Sequence, residues 1–360
     1  MSYLTTSRRG IRPYGMLRTG ELKGTAMNRT LPMLSATLST VLTAAMALGL
    51  SLSLASPAAA QYPDRPVRIV LPYAPGAAGD IALRQLQPRL EKELGQHLIV
   101  DYRSGAGGNI GVQEVVRAKP DGYTLVLGAA NNFVINQFLY RKLGFDPLSD
   151  LQPIAKLADV PSFIYISAAI PATTFAQFKQ YAQANAGKLN YGSPGSGTSP
   201  HLSAFMLSQA MQARMTHIPY RGSAPGVQAL LANEVQMYLG GYSVGAAYAP
   251  QNRIRALAVA APERFASMPD VPTLREAGAP DVVLSNWWGL AAPRGVPPEV
   301  VDRWSRALNT VLAEPEIQKA FLQNGFVART GDPAAFEREL RQESLKWKTI
   351  VQETGVTLDN

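Results

Sequence analysis

The polar groups with chemical potential in this chain cluster in short runs of glycine, serine and asparagine, each following a brief apolar stretch. In Val67 to Leu83, VRIVLPYAPGAAGDIAL, a predicted strand passes through Gly76, Ala77, Ala78 and Gly79 into a predicted helix opening at Asp80. The first N–H groups of such a helix have no partner within it and carry the positive end of the helix dipole, so the loop suits a small carboxylate. Asp80 reads first as an N-cap, since its carboxylate would repel an anionic ligand. The arrangement returns in Gly192 to Thr198, GSPGSGT, ahead of a helix with Ser199 as predicted N-cap and Pro200 at its first position. A flexible Gly/Ser loop without a ligand is the plainer alternative there. After the next strand, Arg221 in Tyr220-Arg221-Gly222 could clamp a carboxylate with its planar fork, or be an ordinary surface arginine.

Enzymatic chemistry finds less support. Gly241-Tyr242-Ser243-Val244-Gly245 matches G-x-S-x-G after a predicted strand, as a nucleophile elbow should. In that fold the histidine follows the serine in the chain, yet the last histidine is His217. An exported serine hydrolase using Ser243 is therefore the secondary reading. GAAG fails the dinucleotide fingerprint and no phosphate-binding P-loop motif occurs, so no cofactor is expected. The chain has no cysteine, and His97, His201 and His217 lack a second ligand at helical metal-site spacing, so no metal is expected either. Asp146 and Asp150 in FDPLSDL flank a proline turn and read as capping carboxylates.

Residues 30 to 63 carry no charge and are rich in Leu, Ala, Ser and Thr behind Arg29, ending in Ala58-Ala59-Ala60. This predicts a secretory signal peptide within residues 1–60, cleaved before Gln61, with translation starting at Met27. Without residues 1–60 the net charge falls from +8 to +3, and no basic run interleaved with aromatics is left, which argues against nucleic acid as a partner.

Downstream of the first loop, apolar strands alternate with helical patterns, predicting parallel, doubly wound sheets with ligand sites beyond the strand C-termini. The helix after Asp80 contains Pro88, which predicts a kink. Pro161, between two apolar runs, marks a crossing to a second lobe, and Ser285-Asn286-Trp287-Trp288 marks the return.

YPDRPVRIVLPYAPG, VVRAKPDGYTL, FDPLSDLQPIA, GSPGSGTSPHL, THIPYRGSAP, RALAVAAPER, PDVPTLREAG and NWWGLAAPRGVP, in this order over about residues 62 to 358, resemble the Bug family, the solute receptors of tripartite tricarboxylate transporters. The resemblance implies an α/β, two-lobe periplasmic binding protein of type II, each lobe a doubly wound sheet flanked by helices. Residues 61–163 and 286–360 would form the first lobe and 164–285 the second. It further implies a monomer that carries a small carboxylate to a membrane permease, with no catalysis. Carried over by position, the family's first binding loop falls on Tyr73, Ala74, Gly76, Ala77, Ala78, Gly79 and Asp80, and a further turn falls on Ala129 and Asn131. The second-lobe loop falls on Ser193, Gly195, Thr198 and His201, and the P-Y-[KR]-G turn on Tyr220 and Arg221. Gly240 and Gly241 stand where relatives often carry Asp-Asn, either as a simple bulge or as a widened cleft. A widened cleft predicts a bulkier acid without an amine, such as an aromatic one stacked near Tyr73, Trp287 or Trp288.

Overall fold

The computed structural model describes residues 62–279 and 286–359. The expected leader, its cleavage site and Ser285 lie outside them. In chain order, β1 (Val67–Leu71), α1 (Ala78–Leu94), β2 (Leu98–Tyr102), α2 (Asn109–Val116) and β3 (Thr124–Ala129) alternate. A π-helical turn (Asn131–Ile135) and the short helices α3 (Asn136–Leu139) and α4 (Pro147–Asp150) lead to β4 (Leu151–Asp159). Then come β5 (Ser162–Ser167), α5 (Phe175–Ala184), β6 (Leu189–Ser193), α6 (Ser199–Ala210), β7 (Met215–Pro219), α7 (Ser223–Leu231), β8 (Met237–Gly240), α8 (Tyr242–Tyr248) and β9 (Ile254–Ala260). The chain closes with β10 (Trp287–Pro293), α9 (Pro298–Leu312), α10 (Pro315–Gln323), β11 (Val327–Ala328) and α11 (Pro333–Thr354).

These strands form two sheets, ordered β11-β4-β10-β3-β1-β2 and β7-β6-β8-β5-β9. Val67, Ile69, Val70 and Leu71 are apolar because both faces of the strand are covered, and the one charged residue, Arg68, pairs with Asp101 and Glu114. Val67, Ile69 and Leu71 pack with Leu83, Leu86 and Leu90 of α1 and with Trp304 of α9. Val70 points into a second cluster with Phe133, Trp287 and Trp347. The second sheet is sandwiched likewise, Ile164 and Leu239 packing with Phe175 and Phe178 on one side and Phe163 and Tyr238 with Leu230 on the other.

Neither sheet is fully parallel, unlike the expectation. β1 runs parallel to β2 and β3, and β6 to β7 and β8, but β10 is antiparallel to β3 and β4, and β5 to β8 and β9. The cause is the double crossing: β4 leaves the first sheet beside the strand that returns to it, so the two must run in opposite directions. Val160 N–H donates to Asn286 O at 2.8 Å and ties the two crossings together. Ser162 and Phe163 already pair within the second sheet, so the outward crossing lies at Val160 and Pro161, just ahead of the boundary expected after Phe163. Helix α1 runs on through Pro88. Asp146 caps α4 by accepting the Leu148 N–H, and Asp150 accepts that of Asp146. Among the described residues no helix is long and apolar enough to cross a membrane.

Candidate ligand-binding site

Helix α1 opens at Ala78, two residues earlier than expected, and its N-cap Ala77 offers no side-chain acceptor. Ile81 N–H bonds to Ala77 O, while among the described residues none gives an acceptor to the N–H groups of Ala78, Gly79 and Asp80. Three donors at a positive helix end are thus bare. Asp80 is not the cap. Its side chain turns back to accept from Gly76 N–H at 2.8 Å, the Tyr102 hydroxyl at 2.8 Å and Arg84 Nε at 2.9 Å. Burial alone would raise its pKa, but these three donors outweigh burial and hold it below the usual carboxylate value. Asp80 therefore braces the loop.

Gly79 allows this loop to sit where it does. A Cβ there would lie 2.3 Å from the Trp288 ring, which is 5% exposed and meets Tyr73 edge to face at 5.2 Å. Trp288 is the floor beneath the helix start. Trp287 is fully buried between Phe133 and Phe336 and donates its indole N–H to Glu343. Trp287 faces away from the loop for a physical reason: adjacent strand residues point to opposite faces, so Trp288 meets the loop and Trp287 does not.

The Tyr73 hydroxyl donates to Asn132 Oδ1 at 2.9 Å, and Asn132 Nδ2 reaches Gly107 O. Ala129 N–H joins the same Oδ1. The neighbouring Asn131 crosses between the sheets, its Nδ2 donating to Gly197 O at 3.0 Å. The two glycine loops are thereby linked through consecutive asparagines. Asn132, with no local sequence signal beyond the Asn-Asn pair, was missed by sequence reasoning, as was Tyr102.

In the second loop the N-cap of α6 is Thr198, with Ser199 and Pro200 inside the helix. Thr198 Oγ1 accepts from His201 N–H and donates to Gly195 O at 2.7 Å, so the hydroxyl expected to meet a ligand is already engaged within the loop. Thr198→Val should lower the unfolding free energy by about 1 kcal/mol, while Thr198→Ser stays near wild type, as urea titration would reveal. Equal stability of all three would remove the capping role. His201 is likewise turned away. Its Nδ1 accepts from Gly197 N–H at 3.0 Å, and its ring stacks on His217 at a 3.7 Å centroid separation. His217 Nε2 lies 2.7 Å from Ser193 Oγ, which takes Gly195 N–H. Burial, with some repulsion from His217, lowers the His201 pKa to about 3, and burial lowers His217 to about 4. Both rings are neutral props behind the loop. Among the described residues the Ser196 and Ser199 N–H groups have no acceptor.

The start of α7 adds donors. Gly222, its N-cap, has no side chain to offer, and Arg221 is exposed beside it. Tyr220 and Gly222 N–H groups bond back to Ser193 and Pro194, fixing this turn to the second loop. A Cβ at Gly240 would press on Tyr238 at 3.0 Å and Val244 at 3.1 Å inside the sheet, whereas one at Gly241 meets only Val160 at 3.8 Å. The position open to a side chain is Gly241, not Gly240.

Two other cavities, of about 340 and 900 Å³, share Lys156, Asp159, Arg329 and Glu339 and contain none of the glycine-loop residues. The four charges they share are mutually paired, Lys156 with Asp159 and Glu339, and Arg329 with Asp159. The bare backbone donors at helix starts lie on the glycine loops, which carry the binding argument. Ser243 is exposed on the first turn of α8, with His201 and His217 both engaged at the second loop. Among the described residues no group of His, Asp and Glu has metal-binding geometry.

Two α/β sheets joined by paired crossing strands, with uncapped helix starts at hydrogen-bonded loops, define a two-lobe solute-binding protein. Residues 82–356 match the tripartite tricarboxylate transporter family receptor, and the chain belongs to that family. It is similar to the periplasmic binding protein BugD (31% identity, TM-score 0.71, 83% of this chain and 100% of BugD covered). It also resembles Rpa4515 of R. palustris, solved with adipate (28% identity, TM-score 0.75, 83% and 100% covered). MatC of Rhodopseudomonas palustris, solved with bound malate, is a third relative (28% identity, TM-score 0.70, 81% and 100% covered).

Proposed function

We propose that this chain is a periplasmic receptor that holds a small aliphatic dicarboxylate between its two sheets and presents it to the membrane permease of a tripartite transporter. The observation that carries this is the trio of bare N–H groups at Ala78, Gly79 and Asp80, in a loop linked through Asn132 and Asn131 to the second loop. One carboxylate would sit on α1; the other would meet Ser196, Ser199 and the start of α7 with Arg221. The adipate and malate held by relatives are both dicarboxylates. The receptor acts as a monomer without catalysis, metal or cofactor. Residues 62–161 and 286–359 form its first lobe and 162–279 its second, hinged at Val160–Pro161 and Asn286.

Ala77→Asp tests the reading. Ala77 has the extended backbone of an N-cap (φ −64, ψ 158), so an aspartate there would satisfy the bare donors itself. Calorimetric affinity for adipate or malate should fall at least tenfold while stability rises by about 1 kcal/mol. If wild type binds neither these acids nor other dicarboxylates, or if the variant binds as wild type does, the α1 site is wrong.

A further inference from the structure

Beyond α11 the chain does not trail away. Gly355 closes the helix in a left-handed conformation, and Leu358 then pairs with Tyr140 as a short parallel bridge, its N–H donating to Leu139 O at 2.8 Å. Leu358, Val356 and Tyr140 pack on the same apolar cluster as Leu202 and Met206 of α6, a helix of the other sheet. The contact culminates at Gly197. This residue is buried with φ +75, and a Cβ there would lie 2.7 Å from Leu358 Cδ1 and 2.9 Å from Leu139 Cδ1. Its carbonyl accepts from Asn131 and its N–H donates to His201 Nδ1.

We infer that Leu358 is a positioning residue for the candidate site: the segment after α11 docks on the first sheet and wedges its leucine beneath Gly197, fixing the second-sheet loop that offers Ser196 and Ser199. This deepens, and rests on, the receptor reading above. Gly197 is gripped from three sides by groups of different origin: an apolar floor from Leu139 and Leu358, a donor from Asn131 and an acceptor from α6. The glycine is required twice over, for its left-handed backbone and for the closeness of the leucines. Removing the floor leaves the two hydrogen bonds and lets the loop sample other conformations. A ligand must then order the loop as it binds, which costs affinity without removing any direct contact. The contact of Leu358 with Gly197 also joins the first sheet's lobe to the second-sheet loop at a point remote in sequence from both crossings.

The test has two arms. Hydrogen exchange of peptides covering residues 194–201 in ligand-free protein should quicken about tenfold in Leu358→Ala and return toward wild type in Leu358→Met. Dicarboxylate affinity, measured with adipate and malate, should weaken about fivefold in Leu358→Ala and recover in Leu358→Met. A lowered melting temperature with unchanged exchange at 194–201 would make Leu358 an ordinary packing residue and overturn the inference. Because the exchange arm needs no ligand, it decides the role of Leu358 even if no dicarboxylate binds. Faster exchange with unaltered affinity would overturn the link to binding.

Discussion

Gly79→Ala is expected to lower the unfolding free energy by about 3 kcal/mol and the melting temperature by roughly 6 °C. The added methyl would lie 2.3, 2.4 and 2.7 Å from three atoms of the Trp288 ring. That ring has no easy retreat: it is 5% exposed, packed in the apolar cluster of the first sheet, and capped edge-on by Tyr73. Relief must come from moving α1 or the indole. Either displaces the bare N–H groups of Ala78 to Asp80, so carboxylate binding should fail along with stability. The substitution is otherwise mild, since alanine favours a helix over glycine by about 1 kcal/mol. A stability gain would therefore show that the contact is not as tight as described. Combining Gly79→Ala with Trp288→Leu should cost less than the two single changes summed, the mark of two residues contending for one space. Additivity in a urea-based double-mutant cycle would contradict the steric account.

A second large effect is expected on acidification. His201 and His217 sit at about 3 and about 4 in the folded protein, below the unfolded value near 6.5. Between these limits the unfolded chain binds more protons than the folded one, so stability is fully present above about pH 6.5 and is lost as pH falls toward 4. With 1.36 kcal/mol for each unit of pKa difference, and a discount for the partial exposure of His217, the loss from pH 6.5 to 4.5 comes to roughly 3 kcal/mol. Asp80, Glu91 and Asp101 have lowered pKa values, so their contributions fade only as pH falls through about 4, below this window. Guanidinium unfolding at pH 7, 5.5 and 4.5 should show the slope in wild type, and the double variant His201→Asn, His217→Gln should flatten it. An equal slope in both proteins would assign the acid sensitivity elsewhere.

Local signals in the sequence served the first loop well and the contacts between loops poorly. A largely apolar strand, a run of small residues and a following amphipathic pattern are enough to predict strand, turn and helix at Val67 to Leu94. The start at Ala78 was harder to read because Asp80 suits an N-cap but acts from the third position, reaching back to Gly76. Thr198 and Ser199 are both competent caps, and proline is tolerated at the first or second helical position, so only the backbone decides between them. Trp287 and Trp288 looked available to a ligand because nothing in their spacing says that both faces of the strand are covered. Asn132 works through Tyr73, 59 residues away, and Gly107, 25 residues away. Such partnerships leave no periodic trace.

The place of β10 also sets an order of assembly. Trp288 pairs with Ala129 on one side and Ala158 on the other, so the strand that fills the gap between β3 and β4 arrives only after the whole second sheet has been traversed. The five strands of that second sheet lie in one uninterrupted stretch from Ser162 to Ala260 and can pair as soon as they emerge. The first sheet must instead wait, with its central ladder unpaired, for a contact of long sequence separation, the kind that slows folding. A chain built this way stays open until its final third is available, and the helix start at Gly79 can take its place over Trp288 only once that strand has arrived.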